Sequence, residues 1–141
     1  MAIRGSCLCG SVNYQIDGPL REATSCHCSM CRKAHGAAFG TYAGLDPDRF
    51  RWLSGEAYVS IYNSSPDGGR CFCSKCGSNL FYYLKGADRY VMWMGTFEDQ
   101  APFHVAGEIY IDDKPAGYDI AGDHPRLTGE EFMASMLQGS E

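Results

Sequence analysis

The sequence lacks long apolar runs: the longest, such as Tyr90-Val91-Met92-Trp93-Met94, span only a few residues. A membrane-spanning helix needs ~20, so no transmembrane segment is expected. Runs of basic residues are missing as well. Twelve Lys and Arg stand against seventeen Asp and Glu, for a formal net charge of -5, and nowhere do the cations gather into the footprint that nonspecific nucleic-acid binding requires. Neither DNA nor RNA is an expected partner. The opening Met1-Ala2-Ile3-Arg4-Gly5-Ser6 carries no apolar core of a secretory signal, which places the protein in the cytoplasm as an expectation. Linkers and low-complexity segments are absent, and 141 residues suit one domain over 1–141 rather than a two-domain enzyme.

What the chain does have is cysteine, eight in all. In a reducing compartment such a density points to metal binding, and a disulfide framework is the alternative. Spacing argues against the alternative. Cys7-x-Cys9, Cys26-x-Cys28 and Cys71-x-Cys73 put thiols two residues apart, where a bridge within a pair is strained. Two segments share the pattern C-x-C-S-x-C: Cys26-His27-Cys28-Ser29-Met30-Cys31 and Cys71-Phe72-Cys73-Ser74-Lys75-Cys76. Their flanks do not repeat, so they read as two similar metal knuckles and not as a solenoid.

Short β-branched and aromatic runs broken by Gly, Pro, Asp and Asn predict strands at 12–16, 39–43, 50–53, 58–62, 79–84, 90–94 and 104–111. Turn residues at Leu45–Asp48, Ser65–Gly69 and Lys85–Asp88 predict antiparallel pairing through short connections. Helix is predicted only over Ser29–His35 and from Thr128 to Leu137. There Thr128 and Glu131 fit a capping box, and Phe132, Met136 and Leu137 form a stripe expected to pack as core on the sheet. The fold class is thus mainly β, with a short C-terminal helix.

Eight thiols match two four-cysteine zinc sites. One partition joins Cys7 and Cys9 to Cys73 and Cys76, leaving Cys26, Cys28 and Cys31 as a three-thiolate group with Cys71 as a candidate fourth ligand. The other gives each triplet its own ion and splits the first pair. The first is favoured, because residues i and i+2 of a strand face the same way. Three protein ligands leave a coordination position for water or substrate, whereas closure by Cys71 would make both ions structural. Eight thiolates on two divalent ions would take the net charge from -5 to -9, so anion binding would need local cations.

Gly5-Ser6-Cys7-Leu8-Cys9-Gly10, Cys26-His27-Cys28-Ser29-Met30-Cys31-Arg32-Lys33 and Arg70-Cys71-Phe72-Cys73-Ser74-Lys75-Cys76-Gly77, in that order, resemble the glutathione-dependent formaldehyde-activating enzyme (GFA) family, whose domain is shared with centromere protein V. Gly95-Thr96-Phe97-Glu98-Asp99 resembles a later Gly-Thr segment of the family. The resemblance covers roughly residues 3–120 and implies a zinc-binding β-tent of short antiparallel strands. It implies a structural zinc on Cys7, Cys9, Cys73 and Cys76 and a substrate-facing zinc on Cys26, Cys28 and Cys31. The activity implied is that of a carbon-sulfur lyase, an S-(hydroxymethyl)glutathione synthase joining formaldehyde to glutathione. Cys71 departs from the family motif, Pro102-Phe103-His104 is one residue short of its Pro-x-x-His, and Tyr118 stands where an aromatic, often Trp, is expected.

Addition of a thiol to formaldehyde needs a thiolate and a nearby electrophile, which zinc and proximity supply. Glutathione carries two carboxylates, and Arg32 and Lys33 are the nearest cations in sequence. His35 is a candidate general base, one or two helical turns after Cys31. His27, between two ligands, is expected to be a hydrogen-bonded or surface histidine, and His104 and His124 rank below His35. The partners are therefore a small-molecule thiol and aldehyde, with zinc, two per chain, and glutathione as co-substrate. Two other readings compete: a non-catalytic zinc-stabilised binding module, and thiol redox chemistry at Cys28-x2-Cys31 or Cys73-x2-Cys76.

Overall fold

Strands form where side chains suit a pleated, half-buried surface. In the computed structural model, which describes residues 2–139, ten appear: β1 Ala2–Ser6, β2 Asn13–Asp17, β3 Glu22–Cys26, β4 Gly40–Leu45, β5 Phe50–Ser54, β6 Val59–Ser65, β7 Gly68–Cys73, β8 Asn79–Leu84, β9 Arg89–Trp93 and β10 His104–Ile109. Two α-helices accompany them, α1 Ser29–His35 and α2 Gly129–Gly139. The chain is mainly β, as its residues predict. It divides into two compact units, the first formed by Tyr42–Phe103 with the residues up to Arg21, the second by Glu22–Thr41 with the residues from His104 on.

In the first unit β1, β2 and β5 form an antiparallel sheet in the order β1-β2-β5. A second antiparallel run follows β9, β8, β7 and β6, with Tyr42–Leu45 of β4 paired to β9. Between them lies a core that includes Val12, Tyr14, Ile16, Leu45, Leu80, Phe81 and Met92. Each large side chain fully withdrawn from water there contributes roughly 1.5–3 kcal/mol. Tyr14 is buried yet satisfied: Thr96 Oγ1 donates to the Trp93 carbonyl at 2.9 Å, so the Tyr14 hydroxyl donates to Thr96.

In the second unit β3 and β10 pair in parallel, which departs from the antiparallel pairing predicted throughout. More than 75 residues separate these strands in sequence, so no hairpin dictates their direction. The capping box of α2 forms as predicted: Glu131 Oε1 accepts from the Thr128 N–H at 2.8 Å, and Thr128 Oγ1 from the Glu131 N–H at 3.1 Å. Its apolar stripe does not behave as predicted. Phe132 meets the Tyr110 ring at 6.1 Å, but Met136 and Leu137 are 39% and 71% exposed, so the stripe is not core. Among the described residues no helix is long and apolar enough to cross a membrane.

Candidate functional site

Two loops of the first unit bring four thiols together. In the first, the Gly10 N–H donates to the Cys7 carbonyl at 3.2 Å and Gly10 takes a φ of 79°. In the second, the Gly77 N–H donates to the Cys73 carbonyl at 2.7 Å with φ 81° at Gly77. Glycine tolerates that left-handed backbone at little cost, which lets each chain turn back under its sulfurs. The Sγ atoms of Cys7, Cys9, Cys73 and Cys76 all lie within 4.8 Å of one another. Cys7 to Cys9 is 3.6 Å and Cys9 to Cys73 is 3.9 Å. A tetrahedron of ~2.3 Å metal–sulfur bonds has edges of about 3.8 Å, so the donor set fits a four-coordinate metal ion. The Ser78 hydroxyl and backbone, with the Cys9 backbone, hold the Cys76 thiol down at about 5, while burial pushes Cys73 up to about 11.

The second unit holds the other group. Cys26 closes β3, Cys28 is the N-cap of α1, and Cys31 lies in its first turn. Their three sulfurs also fall within 4.8 Å of one another. Hydrogen bonds from the Cys26 and Cys31 thiols, then from the Cys31 and Met30 N–H groups, hold the Cys28 thiol well below its ordinary range. Cys26 moves the opposite way, raised by its bonds to Cys28 and Cys31 and by burial. Tyr110, beside the group, has its hydroxyl pKa raised by burial and by the charges of Cys28 and Cys26.

Cys71 belongs to neither group. It lies in β7 of the first unit, lining a cavity of about 330 Å³ with Trp52, Phe81 and Tyr90, and burial alone pushes its thiol up to about 12. Arg32 and Lys33 lie on α1, where Arg32 Nε donates to the His27 carbonyl at 3.1 Å and Lys33 is exposed. His35 ends α1 four residues after Cys31, on the same helix face. His104 is exposed at the start of β10.

One polar cluster was not foreseen. His27 and Glu108 are 0% and 1% exposed, and His27 Nε2 meets Glu108 Oε1 at 2.7 Å. Glu108 Oε2 receives His124 Nε2 at 2.6 Å and Arg126 Nε at 2.9 Å. Burial alone would raise the Glu108 pKa, but the bonds from His124 and His27 and the Arg126 charge together lower it, so Glu108 is a carboxylate. The Tyr118 hydroxyl spends its proton on the Ala38 carbonyl at 2.6 Å. It can therefore only accept from His27 Nδ1, 3.0 Å away, and both nitrogens of His27 donate. The residues predict a hydrogen-bonded or surface histidine at 27; it is buried and hydrogen-bonded. The only advance signal of its partner was an acidic residue inside the otherwise apolar run Val105–Ile111.

With this geometry in view, likeness to known proteins is informative. The chain matches the family model of the glutathione-dependent formaldehyde-activating enzymes over residues 2–113, and it belongs to that family. An uncharacterized lyase of Schizosaccharomyces pombe is 27% identical over 135 residues, covering 95% of this chain and 96% of the relative. A Halomonas elongata protein, named provisionally as a glutathione-dependent formaldehyde-activating enzyme, is 34% identical over 90 residues, 59% of this chain and 57% of its own. A Rhodobacter sphaeroides protein of known crystal structure shares the fold at a TM-score of 0.58 and 18% identity, covering 87% of this chain and 98% of that one.

Proposed function

We propose that the chain is a single-domain, zinc-dependent carbon-sulfur lyase of the GFA type, which joins glutathione to formaldehyde or a related small aldehyde. The observation that carries this reading is the three-thiol group: Cys26, Cys28 and Cys31 converge with no fourth His, Cys, Asp or Glu ligand among the described residues. Three protein ligands with one position left is the arrangement of catalytic rather than structural zinc. The four-thiol group Cys7, Cys9, Cys73 and Cys76 is of the closed, structural kind.

Bound zinc would supply Lewis acidity and a lowered thiol pKa at the open position. The reaction is a net addition. The glutathione sulfur bonds to the aldehyde carbon, the carbonyl π pair moves to oxygen, and the thiol proton ends on that oxygen, with no oxidant or reductant consumed. The chain's own part is to hold and orient. Cys26, Cys28 and Cys31 would hold the ion as thiolates, and the Cys31 N–H donates to Cys28 Sγ at 3.4 Å, fixing that sulfur at the start of α1. Lys33 and the remaining guanidinium nitrogens of Arg32 are the proposed contacts for the glutathione carboxylates, and His35 the proposed proton carrier. A fixed frame of this kind makes proximity effective.

The test is zinc per chain before and after equilibration with millimolar glutathione, followed by NMR detection of S-(hydroxymethyl)glutathione exchange with formaldehyde. Two ions, one of them responsive to glutathione, with accelerated exchange, support the reading. Two inert ions and no acceleration would sink it and favour the zinc-stabilised binding module.

A further inference from the structure

We propose that Glu108 is a positioning residue for the three-thiol group, acting through His27; the proposal rests on reading Cys26, Cys28 and Cys31 as metal ligands. His27 is anchored at four points. Its N–H donates to the Ile109 carbonyl and its own carbonyl accepts from Arg32 Nε, both at 3.1 Å. Its ring donates to Glu108 at 2.7 Å and to Tyr118 at 3.0 Å. On extended chain the side chains of residues 26 and 28 leave the face opposite to that of residue 27. The backbone at His27 therefore sets where the two flanking sulfurs stand relative to one another, and the bonds of the ring and of the main chain together hold that residue in place.

The frame behind His27 is itself fixed. The Glu108 N–H donates to the Pro125 carbonyl at 3.0 Å and its carbonyl accepts from the Leu127 N–H at 2.9 Å. Glu108 also pairs with Ser25 in the β3–β10 register. Its two carboxylate oxygens take three donors, from His27, His124 and Arg126. An apolar side chain of equal volume would fill the space without setting the imidazole's angle. Groups that orient metal ligands from outside the coordination sphere carry about 10–100-fold in metal affinity.

The experiment is a chelator competition on full-length, zinc-loaded chain for wild type, Glu108→Gln and Tyr118→Phe, with the visible spectrum of the cobalt-substituted proteins in parallel. Gln keeps the size but turns an N–H donor toward one of three donors. Tyr118→Phe leaves Glu108 in place and removes the acceptor of His27 Nδ1, together with the bond of that hydroxyl to the Ala38 carbonyl, and serves if Glu108→Gln does not fold. The expected result is a roughly 10-fold or greater weakening of one equivalent of metal and altered cobalt bands for it, with the Cys7, Cys9, Cys73, Cys76 equivalent unmoved, and a smaller shift in the same direction for Tyr118→Phe. Two equivalents in wild type that neither variant shifts would overturn the positioning role alone. A wild type that holds only one ion would overturn the metal reading and this proposal with it.

Discussion

The two metal groups should differ sharply in how tightly they hold zinc. The four-thiol group is organised in advance, with sulfur separations of 3.6 and 3.9 Å against the ~3.8 Å edge of a zinc–thiolate tetrahedron. The other group offers three sulfurs. Structural zinc is worth roughly 10–16 kcal/mol at neutral pH, so one ligand of four carries about 3 kcal/mol. At ~1.4 kcal/mol per tenfold, the missing ligand opens an affinity gap on the order of 100-fold. Titration with a coloured chelator should then draw off zinc in two steps of one equivalent each. Trp52 and Trp93 both lie in the first unit, so their near-ultraviolet dichroism should survive the first step and collapse with the second. Cys28→Ser should erase the first step only, and Cys7→Ser the second. Release in a single cooperative step, or a first step that persists in Cys28→Ser, would refute the reasoning.

Cys71→Ala should leave two zinc ions per chain by elemental analysis, because Cys71 lies among aromatic rings of the first unit. Gly68→Ala should cost about 1–3 kcal/mol, seen as a melting point roughly 3–10 °C lower, since a Cβ there would stand 2.4 Å from the Tyr82 ring and the Tyr83 carbonyl. Glu108 has a folded pKa below its ordinary 4.5; its stabilisation is therefore whole above that value and lost as pH falls through the lower folded one. The stability gap between wild type and Glu108→Gln, from urea melts, should shrink as pH drops below about 4.5. Thr128→Ala should lose about 1 kcal/mol and speed amide exchange at the start of α2 while β8 and β9 stay protected.

The two sulfur groups that could hold a metal were legible in the cysteines because ligand spacing is partly local: a C-x-C pair and a C-x2-C turn each declare themselves within six residues. β8 was legible at its observed ends, Asn79 and Leu84, since Phe81, Tyr82 and Tyr83 favour strand and Gly86 marks the turn. β1, β3 and β7 were missed for a shared reason. Ala2–Ser6 and Glu22–Cys26 are built of small and polar residues, and strand there follows from pairing partners, not from propensity. β7 opens with Gly68 and Gly69, which read as a turn; a side chain at either would strike Tyr82 or Ile61, so these glycines serve close packing inside the strand. The Glu108 cluster joins residues 81 apart in sequence, a distance no local pattern spans. The exposed stripe of α2 shows the opposite failure, where helical periodicity was real but the burial inferred from it was not.

Cys28 is both the cap of α1 and a thiol of the three-sulfur group. A helix of seven residues is far too short to persist by its own hydrogen bonds, so its order leans on its caps and on contacts such as that of Arg32 Nε with the His27 carbonyl. A thiolate bound to a metal would still accept N–H bonds, so an ion on these sulfurs would also brace the first turn of the helix. Oxidation of the Cys28 sulfur would strike twice, at a thiol of the group and at the cap of the helix that carries Arg32, Lys33 and His35.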